Sequence, residues 1–141
     1  MTTQQPISQN VKQNILIIDD NKDFLEIFSM KLKSAGFEVE TALGGKLGIA
    51  LAKEKRPDLI LLDVEMPEMN GVETLTALKQ DPDVKNTKVI FLTNYGEPHK
   101  ETSWIDEKFA REAGAIDYIK KSEDLDKIVD EVRRSIKENT N

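Results

Sequence analysis

The stretch Ile15-Leu16-Ile17-Ile18-Asp19-Asp20-Asn21 decides the fold class of this chain. Four consecutive apolar residues followed by polar ones predict a strand that is covered on both faces, as strands of a parallel sheet are. The same pattern returns in Leu59-Ile60-Leu61-Leu62, which ends at Asp63, and in Val89-Ile90-Phe91-Leu92, which ends at Thr93. The sequence therefore predicts three buried central strands, each followed directly by a polar side chain.

Amphipathic segments separate these strands. Phe37, Val39 and Thr41 alternate with glutamates, which predicts an edge strand with one exposed face, and a short fifth strand is predicted around residues 115–119. Strict alternation of five strands with five helices predicts a three-layer α/β/α sandwich around a parallel sheet. The apolar residues that recur at helical spacing are Phe24, Leu25, Ile27, Phe28 and Leu32; Leu43, Leu47, Ala50 and Leu51; Val72, Leu75 and Leu78; Ile105, Phe109 and Ala113; and Leu125, Ile128, Val129, Val132 and Ile136.

Length and composition narrow the possible functions. With 141 residues there is room for one domain, expected at 14–138 between polar tails at 1–13 and 139–141, and for no output domain. A formal charge of −6 disfavours nucleic acid as a partner, and the absence of cysteine excludes thiolate metal sites and cysteine nucleophiles. No apolar run is long enough to span a bilayer and no signal peptide is recognisable, so we predict a cytoplasmic protein without a membrane partner.

Polar side chains that follow the strands are expected to meet at one edge of the sheet. The polar side chains that come at or just after strand ends are Asp19, Asp20, Asp63, Thr93 and Lys121. Parallel sheets bind their ligands beyond the carboxyl ends of the strands. Clustered carboxylates repel one another without a cation, and oxygen ligands without Cys or His favour Mg²⁺. A carboxylate can attack phosphorus, so we predict Asp63 as nucleophile, with Thr93 and Lys121 holding the phosphoryl oxygens.

Five ordered blocks make the chain similar to the receiver domain of two-component response regulators, over residues 14–137. Each block alone is a weak signal, but five in order at strand ends are highly specific. The blocks are Ile17-Ile18-Asp19-Asp20-Asn21, Leu61-Leu62-Asp63-Val64-Glu65-Met66-Pro67-Glu68-Met69-Asn70-Gly71, Phe91-Leu92-Thr93, Ala113-Gly114-Ala115 and Asp117-Tyr118-Ile119-Lys120-Lys121.

The resemblance implies a flavodoxin-like receiver fold with strand order 2-1-3-4-5 and a phosphorylation-activated switch rather than a multiple-turnover enzyme. Asp19 and Asp20 would hold Mg²⁺, and the backbone carbonyl of Glu65 would complete the ligand set. Asp63 would both bind the metal and accept a phosphoryl group from a histidine kinase or phosphotransfer protein. These roles are carried over from the family by position in its motifs.

The resemblance also assigns the switch. Thr93 would contact the phosphoryl group, Lys121 rather than Lys120 would pair with it, and Tyr118 would be the aromatic residue that turns inward. The altered surface would then bind an unknown downstream protein, with the face formed by the fourth helix, fifth strand and fifth helix as the expected contact.

Three features depart from the family pattern. Ser122 replaces the proline that usually follows the lysine, and we expect it to cap the last helix instead. Asn94 follows Thr93 where a small residue is common, and the segment through residues 97–101 is longer than usual.

Two other functions compete with the switch. One is a Mg²⁺-dependent phosphatase with an aspartyl-phosphate intermediate, but Asn21 stands where such enzymes carry a second aspartate as general acid. The other is an adaptor that binds constitutively, which the complete set of acids and lysine disfavours. Structural interpretations also remain, because Asp19, Asp20 or Asn21 could cap the first helix and Tyr118 could be ordinary packing.

Overall fold

Strands and helices alternate along the computed structural model, which describes residues 12–93 and 107–138. Within those residues there are five strands and five helices. Their bounds are β1 (Asn14–Asp19), α1 (Lys22–Ser34), β2 (Glu38–Leu43), α2 (Gly45–Lys55), β3 (Leu59–Asp63), α3 (Gly71–Gln80), β4 (Lys88–Thr93), α4 (Glu107–Ala113), β5 (Asp117–Lys120) and α5 (Leu125–Glu138). No helix in the described part of the chain is long and apolar enough to cross a bilayer.

The five strands form one parallel sheet in the order β2-β1-β3-β4-β5. This is the predicted order, with the alternating strand β2 at one edge and the three apolar strands in the middle. In the observed register Asp63 lies beside Leu92, and Thr93 lies beside Lys120. The carboxyl ends of β1, β3, β4 and β5 therefore share one edge of the sheet, where the polar side chains were expected.

Two apolar layers cover the two faces of the sheet. Ile15, Ile17 and Leu61 are among the strand residues that pack beneath α1 and α5. Leu16 and Ile18 belong to the other layer, beneath α2, α3 and α4. Because successive strand side chains point to opposite faces, an apolar run four residues long supplies both layers at once. All of these side chains are fully buried.

The apolar stripe predicted for the second helix was wrong at three of its four positions, since Leu43, Leu47 and Ala50 are exposed and only Leu51 packs against the core. Leu43 belongs to β2, and Leu47 is half exposed on the outside of α2. The helix packs through small residues instead, because a side chain at Gly48 would have its Cβ only 2.4 Å from Ile18 Cδ1. Close approach of the helix to the sheet therefore decides which face is buried. Leu43 and Leu47 stay outside, whereas Leu51 packs against the buried layer to which Ala52 belongs.

Two further side-chain placements differ from the sequence pattern. Ile27 in α1 is 58% exposed, while Ser29 is buried on the inner side of the same helix. In β2 the buried side chain near the end of the strand is Ala42, and Thr41 is exposed. An edge strand and an outer helix have fewer neighbours, so a hydrophobic side chain in them can remain exposed to solvent.

The last helix begins differently from the prediction. Asp124, and not Ser122, caps α5, because Asp126 N donates to Asp124 Oδ1 at 2.8 Å and Ile128 N donates to Asp124 O at 3.0 Å. The fifth strand is also displaced by two residues at its start, to Asp117–Lys120. The predicted stripe of the fourth helix is described only in part, since Ile105 lies outside the described residues.

Candidate acidic site at the carboxyl edge of the sheet

The end of β1 provides two carboxylates and a helix cap. Asp19 is completely buried, and its Oδ1 accepts a hydrogen bond from Asn21 N at 2.9 Å. Asn21 Oδ1 in turn accepts from Phe24 N at 3.0 Å, which makes Asn21 the N-cap of α1. The capping role considered for all three residues therefore belongs to Asn21. Asp19 and Asp20 remain for the site, and Asp20 is exposed.

Asp63 ends β3 in the centre of this edge and is only 1% exposed. The backbone after it is fixed on both sides, because Val64 N donates to Leu92 O at 3.1 Å and Gly71 N donates to Val64 O at 2.8 Å. A loop that departs from β3 and returns to it thus holds the carboxylate in place.

Gly71, which enters the sequence pattern only as the last residue of the second block, supports the site. A Cβ at this position would lie 2.4 Å from Asp63 O and 2.7 Å from Val64 Cα. Both contacts are with backbone, so no side chain can move aside to make room. The Asn-Gly pair before the third helix was visible in the sequence, but the close approach to Asp63 is a tertiary contact.

Lys121 joins the two buried carboxylates. Its Nζ lies 2.7 Å from Asp19 Oδ2 and 3.3 Å from Asp63 Oδ1, and its backbone N donates to Thr93 O at 2.9 Å. The ammonium also lies 4.7 Å from the centroid of the Phe24 ring, a contact that the sequence did not suggest. The lysine chosen by motif position is thus the one that reaches the acids.

Asp19, Asp20 and Asp63 have the arrangement of a metal site. Each offers one carboxylate oxygen, and these three oxygens lie within 4.8 Å of one another. Among the described residues, Lys121 ion pairs are the only polar contacts of the buried atoms Asp19 Oδ2 and Asp63 Oδ1. A divalent cation would compensate them further, so the residues present fit Mg²⁺.

The charges in this cluster shift the pKa values of its members. Burial, followed by repulsion from Asp19, raises the pKa of Asp63 to about 8, although Lys121 opposes the shift. Burial also raises the pKa of Asp19. Burial disfavours the charged form of Lys121, but the combined attraction of Asp63 and Asp19 raises its pKa above the ordinary value. Asp63 therefore holds a proton near neutral pH, and a cation bound beside it would favour release of that proton.

The remaining predicted site residues occupy different places in the fold. Thr93 is buried at the end of β4, and Glu65 lines the same depression as Asp63. Tyr118 is half-buried, packs against the layer beneath α3 and α4, and lines a second depression on the outer surface. Asn94 lies outside the described residues. The carbonyl ligand at Glu65 and the switch pair stay predictions.

The depression above Asp63 is open to a partner molecule. Its walls come from the residues at the ends of β1, β3 and β5 and from the start of α1, so carboxylates, a lysine and apolar side chains all line it. The lining residues are Asp20, Asn21, Lys22, Phe24, Asp63, Glu65, Met66, Pro67, Lys121 and Ser122.

A doubly wound parallel sheet with a lysine-bridged acid cluster beyond its central strands defines a receiver domain. Residues 15–133 match the response regulator receiver domain family, and the chain therefore belongs to that family. The resemblance read from the five blocks is confirmed. Receiver domains are phosphoacceptors of two-component systems, bind Mg²⁺ at an acidic site, and interact with histidine kinases or phosphotransfer proteins.

Individual relatives agree with this membership. The chain is 34% identical over 119 residues to the DNA-binding dual master transcriptional regulator RpaA of Synechocystis, covering 84% of this chain and 47% of that protein. The chemotaxis protein CheY4 of Vibrio cholerae has a similar structure, with a TM-score of 0.75, 29% identity, and coverage of 88% of this chain and 98% of that one. A CheY-like receiver domain protein from Methanospirillum hungatei has a TM-score of 0.75 at 30% identity, covering 91% and 96%. The chain spans about half the length of RpaA.

Proposed function

We propose that this domain is a phosphorylation-activated signalling switch in which Asp63 accepts a phosphoryl group from a histidine kinase or phosphotransfer protein. The observation that carries the proposal is the position of the Lys121 ammonium, which lies within ion-pairing distance of both Asp19 and Asp63. An incoming phosphoryl group carries negative charge that is spread over its oxygens, and this charge must be neutralised. The Lys121 ammonium supplies one positive charge, and the same carboxylates can hold a metal cation that supplies more.

Mg²⁺ would be held by Asp19, Asp20, Asp63 and the backbone carbonyl of Glu65. When bound, it supplies positive charge that neutralises the phosphoryl oxygens and lowers the pKa of the carboxylates. The protein contributes the rest of the arrangement. Gly71 allows the loop to close against Asp63 O, so the phosphoacceptor stands at a fixed point at the base of the depression.

The transfer itself forms one bond and breaks one. An Asp63 carboxylate oxygen attacks the phosphorus of a phosphohistidine, the phosphorus–nitrogen bond breaks, and the imidazole leaves with the electron pair and takes up a proton. Thr93 and Lys121 would hold the phosphoryl oxygens as the aspartyl phosphate forms. Because only the ionised carboxylate is a nucleophile, the proton that Asp63 holds below about pH 8 must leave first.

The conformational change on phosphorylation would begin at Thr93 and be transmitted to Tyr118. Thr93 is buried beside the phosphoacceptor, and the half-buried Tyr118 lies between an apolar layer and an outer surface depression. Movement of Thr93 toward a phosphoryl group would release space into which Tyr118 turns. The surface of α4, β5 and α5 would then change, and this surface would bind the downstream protein.

The chemistry of that surface favours a polar protein partner. Six ionisable side chains of both signs line its depression, and complementary charges of this kind give specificity in protein association. Burial, with repulsion from Glu123 and Asp117, raises the pKa of Glu131 there. The ionisable lining residues are Arg111, Asp117, Lys120, Glu123, Glu131 and Arg134.

Output by protein contact is the form of signalling that we propose for this domain. RpaA is named as a DNA-binding regulator, but this chain matches less than half of that protein. The net charge of −6 disfavours direct nucleic-acid binding. From membership of the family we also propose that the domain works in the cytoplasm. A phosphatase function is not favoured, because the side chain at the position of the needed acid, Asn21, is the cap of α1.

Acetyl phosphate tests the proposal directly. With Mg²⁺, intact-mass measurement should find one added phosphoryl group on the wild type and none on Asp63→Asn. Asp23→Asn is the matched control, because Asp23 is an exposed acid in the first turn of α1 that does not belong to the cluster. An equal adduct on Asp63→Asn, or release of many phosphates per protein, would contradict the proposal.

A further inference from the structure

An aromatic ring is the third partner of the lysine at the acid cluster. Phe24 presents its ring to the Lys121 ammonium, with 4.7 Å between Nζ and the ring centroid. A cation within about 6 Å of an aromatic centroid is attracted by the ring quadrupole. The Lys121 side chain is only 13% exposed, so little water competes for this contact.

The ring is fixed in place by its own surroundings. Phe24 N donates to Asn21 Oδ1, so the cap that follows the acid pair also sets the start of the helix bearing the ring. On its other side, Phe24 packs against Phe28 with 5.2 Å between ring centroids and a tilt of 49°. Phe28 is completely buried, which leaves Phe24 little freedom to move away from the lysine.

The ring differs from the other two partners of the lysine in one respect. Asp19 and Asp63 both change partners in the proposed cycle, because Asp19 would bind Mg²⁺ and Asp63 would carry the phosphoryl group. Phe24 takes no part in either event. It carries no charge that competes for the cation, so its contact with Lys121 can persist while the carboxylates exchange theirs.

We propose that Phe24 is a positioning residue, which holds the Lys121 ammonium beside Asp63 so that the lysine can pair with an oxyanion bound there. This inference rests on the proposed function and deepens it. A leucine at this position keeps the apolar contact with Phe28 but lacks the ring face. Phe24→Leu should therefore weaken binding of a phosphoryl analogue while leaving the Mg²⁺ ligands intact.

Beryllofluoride in the presence of Mg²⁺ is a suitable probe, since it forms an adduct with a carboxylate in place of a phosphoryl group. We expect about 3- to 30-fold weaker beryllofluoride binding in Phe24→Leu than in the wild type, the range that one partly desolvated cation–π contact allows. Affinity for Mg²⁺ alone should be unchanged. Phe24→Tyr, which keeps the ring face, should restore beryllofluoride affinity to within about twofold of the wild type.

A matched control comes from a second contact of the same kind. Arg133 lies over the ring of the buried Phe37, with 5.8 Å from Cζ to the centroid, away from the acid cluster. Phe37→Leu also removes an aromatic core residue and a cation–π contact, so it should lower stability without changing beryllofluoride affinity. Equal losses in Phe24→Leu and Phe37→Leu would show a general packing effect and overturn the proposal.

NMR of the ion-free protein gives a readout that needs no bound ligand. The ε-methylene protons of Lys121 should carry an upfield ring-current shift in the wild type and in Phe24→Tyr, and lose it in Phe24→Leu. Wild-type beryllofluoride affinity in Phe24→Leu, or failure of Phe24→Tyr to restore it, would refute the positioning role alone. Failure of the wild type to bind beryllofluoride would instead refute the proposed function.

Discussion

The Lys121 ammonium lies closer to Asp19 than to Asp63, the proposed phosphoacceptor, at 2.7 Å from Asp19 Oδ2 and 3.3 Å from Asp63 Oδ1. The lysine is thus the principal counter-ion of Asp19, a carboxylate that we propose as a metal ligand. A cation bound at Asp19 would weaken the ion pair between Lys121 and Asp19, and the lysine would then pair mainly with Asp63. A bound cation is therefore expected to turn the ammonium from Asp19 toward Asp63, while its contact with the Phe24 ring is kept.

Mg²⁺ affinity should depend on pH. Burial raises the pKa of Asp63 to about 8, so below that value the cation must displace a proton. We expect affinity to rise by up to about tenfold per pH unit below pH 8 and to level off above it. Calorimetric titration in two buffers of different ionisation enthalpy would count the released protons. A pH-independent affinity without proton release would contradict this account.

Removing the Asp63 charge should stabilise the ion-free protein in alkaline solution. The folded pKa of Asp63 is raised above its ordinary value of 3.8, so its stabilising contribution is present at acidic pH and is lost as pH rises toward 8. We expect Asp63→Asn to increase the free energy of unfolding by about 1–3 kcal/mol at roughly pH 8.5, and to change it little near pH 4. Urea unfolding with a chelator measures both values. A less stable variant at the alkaline pH would disprove the assignment.

Asp20 should affect metal binding far more than folding. Its side chain is exposed, so Asp20→Asn leaves no buried group without a partner, yet it removes one of three clustered carboxylates. We expect Mg²⁺ affinity to fall by about tenfold or more, with the thermal midpoint nearly unchanged. Asp23→Asn, three residues further along and outside the cluster, is the control for general charge effects. Equal affinity in the two variants would mean that the ligands are wrongly assigned.

Gly71→Ala should damage the site and the fold together. The added Cβ would meet Asp63 O and Val64 Cα, so the backbone that carries Asp63 must shift. We expect a loss of about 1–3 kcal/mol in unfolding free energy and phosphorylation by acetyl phosphate that is slower by about tenfold or more.

Gly36→Ala supplies the comparison for Gly71→Ala. Gly36 has a φ of +104° and open space around it, so alanine there costs roughly 1 kcal/mol or more through the backbone alone. Its phosphorylation rate should match the wild type. Equal rates in both variants would remove the proposed role of Gly71 in holding Asp63.

Trp104 is expected to report activation. It lies outside the described residues, in the segment that directly follows Thr93. If phosphorylation draws Thr93 inward and Tyr118 fills the space, the segment that joins them must repack, and a switch needs two states that the ligand binds unequally. Beryllofluoride with Mg²⁺ should shift the tryptophan emission in the wild type and in Lys120→Ala but not in Asp63→Asn. A silent Trp104 in an occupied wild-type site would place the output surface elsewhere.

The sequence by itself determined the element order and the members of the acid cluster. The apolar runs that end at Asp19, Asp63 and Thr93 are local signals, because a strand covered on both faces needs apolar residues at every position. Parallel strands then bring their carboxyl ends to one edge whatever the details of packing. The five ordered blocks, through family resemblance, distinguished Lys121 from its neighbour Lys120, which spacing within one strand could not do.

Only the tertiary structure decided how tightly these parts fit. The burial of Gly48 and Ala52 in place of Leu47 depends on how closely α2 approaches Ile18, and periodicity carries no information about that distance. Asn21 became the cap of α1 and Asp124 that of α5 because backbone direction, and not residue type alone, selects among neighbouring candidates.

The chemistry of the site was likewise set by three-dimensional contacts. The pKa of Asp63 follows from its burial and from the nearby charges of Asp19 and Lys121, which are far apart in the chain. The Phe24 ring reaches the lysine because the start of α1 and the residues that follow β5 line the same depression. Electrostatic energies depend on separations of a few ångströms in space, and residue order does not specify them.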